Sequence, residues 1–68
     1  MKNYFVELVY ADGQRVVTMD GGRDETLYDF NAWKNSLEDG EIINWGVVNS
    51  GNHEILDSYS KNLNGQPL

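Results

Sequence analysis

The chain has no cysteine, one proline, one histidine and five Lys+Arg in 68 residues, and each scarcity narrows what it can do. Without cysteine there is no disulfide to staple a small fold and no thiolate to hold zinc, and His53 alone does not make a metal site. A chain this short covers only about 60% of the surface its unfolded form exposes, so its stability has to come from packing or from a second chain. Eleven Asp+Glu against the five cations give a net charge of −6. That is the wrong sign for phosphate backbones and anionic membrane surfaces, both of which are bound through Lys and Arg.

Long apolar runs are missing too. Tyr4-Phe5-Val6 is cut by Glu7, which fits neither the core of a signal peptide nor a membrane span. No Asn stands two residues before a Ser or Thr, so a glycosylated, secreted protein is not indicated. The expectation is one cytoplasmic domain over residues 1 to 60, with 61 to 68, polar and carrying Gly65 and Pro67, as a frayed tail.

What is present is β-branched and aromatic. Residues 4 to 11 and 14 to 20 are rich in Val, Tyr, Phe and Thr and flank Asp12-Gly13, the pair that supplies positive φ in a two-residue type I′ hairpin turn. Such a turn sets Tyr10 across from Arg15, Leu8 across from Val17 and Val6 across from Met19 on the core face. The other face would carry Phe5, Glu7, Val9, Val16, Thr18 and Asp20. Of these, Phe5, Val9 and Val16 have no evident cover and are the candidates for self-association.

After Gly21-Gly22, Asp24 or Thr26 can cap a helix, with Asp24, Glu25 and Asp29 near its positive end. Leu27, Phe30, Trp33 and Leu37 fall on one flank, predicting a helix to about Asp39 that Gly40 terminates. Beyond it, Ile43, Trp45 and Val47 alternate with Asn44 and Gly46, and Asn49-Ser50-Gly51-Asn52 turns into His53-Glu54-Ile55-Leu56-Asp57-Ser58-Tyr59. This is a second hairpin whose register the pattern leaves open: a turn on Ser50-Gly51 pairs Trp45 with Leu56, and one on Gly51-Asn52 pairs Val47 with Leu56. The fold class expected is α+β, a small two-layer ββαββ domain with a mostly antiparallel four-stranded sheet and one helix packed on one face.

Chemistry-bearing motifs are few. His53 has no partner pattern, and Ser36, Ser50, Ser58 and Ser60 sit in no G-x-S-x-G context. The segment from Asp20 to Glu25 lacks the spacing of a calcium loop. Gly21-Gly22 lacks the pattern of a phosphate loop and is flanked by acids that would repel an anion. No catalytic residue, metal or cofactor is expected. The carboxylates, by contrast, are patterned. Asp20, Asp24, Glu25 and Asp29 gather at the helix start, and Glu38, Asp39 and Glu41 at its end, about 15 to 20 Å away at the helical rise. Such a line of charge can meet a basic groove as a nucleic-acid backbone does.

Four Tyr, two Phe and two Trp are more aromatics than a helix-on-sheet core of this size encloses. Phe30, Trp33 and Trp45 fit the core periodicity, while Tyr28 and Phe5 are the better candidates for contact. In size and charge the chain resembles the small acidic proteins that phages encode against host enzymes and nucleoid proteins, a likeness of economy that covers no specific residues. The reading is of a protein-binding module or inhibitor that docks on a basic protein partner, in its sharpest form by mimicking nucleic acid. The alternative is a self-associating assembly component.

Overall fold

In the computed structural model, which describes residues 3–61, four strands and one helix follow the order β1 (Asn3–Val9), β2 (Arg15–Gly21), α1 (Arg23–Trp33), β3 (Ile42–Asn49) and β4 (Asn52–Ser60). The strands form one antiparallel sheet in the order β2-β1-β3-β4. The expected ββαββ, α+β architecture is therefore present. The central strands β1 and β3 carry most of the core. Val6, Leu8, Ile43 and Trp45 from the sheet close on Phe30 and Leu37, with Tyr4, Met19, Leu27 and Trp33 packed around them. The flank foreseen for the helix, Leu27, Phe30, Trp33 and Leu37, does face the sheet.

The first hairpin departs from expectation at its turn. Asp12 does not take positive φ; only Gly13 does, at 94°. The Gly13 N–H donates to the Tyr10 carbonyl at 2.8 Å, the Tyr10 N–H to the Gln14 carbonyl at 2.8 Å, and the Gln14 N–H to Asp12 Oδ1 at 2.9 Å. This is the three-residue hairpin loop with a left-handed glycine. One more loop residue shifts the register. Val9 pairs with Arg15, Leu8 with Val16 and Glu7 with Val17, until a bulge opposite Val6/Glu7 leaves Thr18 unpaired and restores Val6 opposite Met19. Thr18 Oγ1 donates to the Val6 carbonyl at 3.3 Å there. Val16 consequently lies on the helix side with Leu8, not with Phe5 and Val9.

Phe5 is not bare either. It points away from the helix yet is only 4% exposed, because its ring lies over Gly46, its pairing partner in β3, and meets His53 edge-on at 5.3 Å between centroids. A side chain at position 46 would occupy that space. Beside Phe5, Glu7 accepts from Asn44 Nδ2 and from the Arg15 guanidinium, each at 3.2 Å. The outer sheet face thus has a polar network at its centre, and of the three residues expected to form a bare patch only half-buried Val9 stays on it without such a cover.

Helix capping also differs. Gly22 is the N-cap and no side chain caps the helix. Thr26, expected as a possible cap, is buried and faces inward. Its Oγ1 donates toward the Gly22 carbonyl at 2.7 Å, with the Arg23 carbonyl at 3.1 Å, and accepts the indole N–H of Trp45 at 2.8 Å. The helix ends earlier than expected. A 3₁₀ turn covers Lys34–Ser36, and Leu37 is already extended at φ −69° and ψ 144°. Leu37 reaches the core from there, and Gly40 lies in the turn into β3 rather than at the helix end.

In the second hairpin, Ser50 at φ 52° and Gly51 at φ 82° form the two-residue turn with both central residues left-handed, the type I′ geometry. Asn49 pairs with Asn52 and Gly46 with Ile55; a bulge then leaves Leu56 unpaired and sets Trp45 opposite Asp57. The first of the two turn centrings is the observed one, but neither pairing foreseen for Leu56 occurs. At the sheet end, the Gly40 N–H donates to the Lys61 carbonyl at 2.9 Å and the Lys61 N–H to the Glu41 carbonyl at 3.2 Å. Lys61 Nζ donates to the Leu37 carbonyl at 3.2 Å. Lys61 is therefore tied to the sheet; the rest of the expected tail, 62 to 68, lies outside the described residues.

Candidate functional site

The short connection Gly21-Gly22 brings α1 straight back over the sheet, so the helix start stands beside the edge strand β2. One cavity of about 450 Å³ opens there, lined by Met19, Asp24, Glu25, Tyr28 and Asp29. A smaller one of about 150 Å³, lined by Asp29, Ala32, Trp33 and Ser36, meets it at Asp29. Together they form a shallow groove along one side of the helix. Four of the residues singled out from the sequence, Asp24, Glu25, Tyr28 and Asp29, are brought together in it. Met19 and Trp33 were not foreseen as site residues. Their signal was their apolar periodicity, which marks core and groove floor alike.

Tyr28 is 79% exposed, the most exposed large apolar residue among those described. Leaving it in water forgoes the burial free energy its ring would otherwise gain, and an exposed tyrosine rimmed by carboxylates is the composition of an interface anchor. The carboxylates that line the groove have few ion-pair partners among the described residues. Among the described residues the ion pairs are Arg15–Glu7 and Arg23–Asp24, the second between neighbouring side chains largely in solvent, where such a pair contributes little. The Arg23 guanidinium also sits 5.9 Å from the Trp45 ring. Lys34 Nζ lies over Phe30 at 4.6 Å and 5.8 Å from Tyr59. No ion pair among the described residues reaches Glu25 or Asp29.

The other acids named from the sequence lie elsewhere. Asp20 pairs with Phe5 and so belongs to the outer face of the sheet, apart from the helix-start group. Glu41 is half-buried, and its Oε1 accepts the Glu38 N–H at 2.9 Å while its own N–H donates to the Glu38 carbonyl at 3.0 Å. That reciprocal pair shapes the loop, as a structural role requires. Glu41 also borders a hollow with Tyr10, Ala11, Asp12, Gln14 and Val16. Glu38 and Asp39 are exposed in the same loop. The two acidic groups therefore do not share one groove.

Among the described residues, no three His, Asp or Glu side chains are grouped to hold a metal ion, and no helix is long and apolar enough to cross a membrane. Compared with models of protein families, with curated proteins and with solved structures, the chain matches none.

Proposed function

We propose that the protein is a binding module that docks on a basic protein surface through the groove beside α1. The observation that carries this reading is the exposed Tyr28 set among Asp24, Glu25 and Asp29 over an apolar floor that includes Met19. An aromatic anchor supplies buried area at little entropic cost, and the surrounding carboxylates supply charge complementarity, which raises the association rate and selects cationic partners. A partner whose basic surface normally holds nucleic acid would be blocked by such docking, which is how a chain of this charge would act as an inhibitor.

The test is a titration of the isotopically labelled protein with hexalysine, followed by backbone and side-chain resonances. Shifts should concentrate on Met19, Glu25, Tyr28 and Asp29, and the affinity should fall about tenfold or more between about 0.05 M and about 0.3 M salt, as screening shortens the reach of exposed charges. Shifts spread evenly over all carboxylates, or binding indifferent to salt, would contradict the reading.

Self-association remains a second reading because all of β4 is exposed, including Ile55, Leu56 and Tyr59, and a bare strand edge invites pairing. It predicts the opposite salt response. Two chains of charge −6 repel, so a dimer would tighten as salt rises, and sedimentation at several salt concentrations separates the readings.

A further inference from the structure

The groove beside α1 is bounded on its other side by an open sheet edge. In the order β2-β1-β3-β4, β2 pairs on one side only, and its seven residues offer an unpaired row of backbone groups about 23 Å long. The edge is only partly blunted: Arg15 and Asp20 sit toward its two ends and a bulge falls at Thr18, but β2 has no Pro and no Lys, and exposed Val16 and Val17 occupy its first half. A helix standing beside a free strand edge, with side-chain pockets between them, is the arrangement that accepts an extended peptide as an added strand.

Charge chooses both the edge and the occupant. On the β4 side charge is mixed, Glu54 and Asp57 of the strand standing with Lys34, near Tyr59, and Lys61, whereas the groove next to β2 is lined by Asp24, Glu25 and Asp29 with no Lys or Arg in its lining. A second copy of this acidic chain would bring like charge to that wall; a cationic segment would neutralise it. Resting on the function proposed above, we infer that an extended segment of the basic partner, alternating cationic and β-branched residues, adds to the outer edge of β2 as a fifth strand. Its cations would lie on the helix side, facing Glu25 and Asp29 with their alkyl stems against Met19 and Tyr28, and its β-branched residues would lie on the outer face beside Val17.

The test uses two acetylated, amidated hexapeptides, Arg-Val-Arg-Val-Arg-Val and the same sequence with every second amide N-methylated, which keeps the charge and removes backbone donors. Amide hydrogen exchange is read on the full chain with each. The unmodified peptide should slow exchange at alternate amides of β2 severalfold, leave β4 unchanged, and bind at least tenfold more tightly than its methylated analogue. Equal binding of both peptides with β2 exchange unaltered would overturn strand addition while leaving charge-based docking at the groove intact. If neither peptide perturbs Tyr28 or Asp29, both inferences fall. Protection of β4, or protection of β2 that grows with protein concentration without peptide, would assign the edge to another occupant and also overturn the proposal.

Discussion

The bond between Thr26 and Trp45 shows how one side chain ties helix to sheet. The indole N–H of Trp45 is buried and its acceptor is Thr26 Oγ1 at 2.8 Å, so replacing the hydroxyl by a methyl strands a donor away from water. Thr26→Val should cost about 1 to 3 kcal/mol by that penalty, while Thr26→Ser, which keeps the oxygen, should cost clearly less. A pair of urea titrations decides, and equal costs would contradict the account. The signal was in the sequence: Thr26 stands four residues before Phe30, on the inward stripe, but its hydroxyl also suits a cap, and only the position of Trp45 across the core distinguishes the two. Gly46 makes a second residue-scale case. A Cβ there would press on the Glu54 carbonyl and lie 2.7 Å from the Phe5 ring. Gly46→Ala should destabilise by about 1 to 3 kcal/mol, the usual cost of overpacking, lowering the melting temperature by several degrees. An unchanged melting temperature would mean that Phe5 is not seated there. Composition marked Phe5 as a surface candidate because the glycine that receives its ring lies in another hairpin.

Among the elements, the strands and the helix were legible because alternation and the three-and-four spacing report burial directly. Their joints were not. Asp12-Gly13 and Ser50-Gly51 look alike as turn pairs, yet the first forms a three-residue loop with only Gly13 left-handed, and the second forms the two-residue turn. The difference is one residue of register, which a bulge at Thr18 absorbs in β2 and a bulge at Leu56 introduces in β4. Bulges interrupt alternation by a single residue and leave no compositional mark. The helix end was misread for a similar reason: Leu37 keeps the inward position the spacing assigns, but from extended backbone. The turn assignments make a prediction. Ser50→Asn places the residue most at home with positive φ at that position and should stabilise by about 0.5 kcal/mol, whereas Gly13→Ala should cost about 1 to 2 kcal/mol from conformation alone, since nothing within 4 Å crowds a Cβ there. Thermal melts of the two variants check both signs, and a Ser50→Asn loss would place the turn elsewhere.

For the molecule as a whole, charge asymmetry is the feature on which the proposed function rests. Net charge and the existence of an acidic helix start were readable from the sequence. It did not reveal that Asp20 faces the other side of the sheet, that Glu41 is bound into its own loop, or that Met19 completes the groove, because each depends on register or on a loop closed by Lys61. With Glu25 and Asp29 outside any described ion pair, self-repulsion should also burden the isolated fold. Raising salt from about 0.01 M to about 0.3 M should increase the melting temperature by a few degrees as screening takes hold, and a fall would contradict that balance. The most direct test of the docking account is side-by-side capture from a cell lysate on the immobilised wild type and on Asp24→Asn/Glu25→Gln/Asp29→Asn, at about 0.1 M and about 0.5 M salt. The account predicts basic proteins held by the wild type at low salt and lost both at high salt and on the variant. Retention of the same proteins by the variant, or retention that survives high salt, would contradict it.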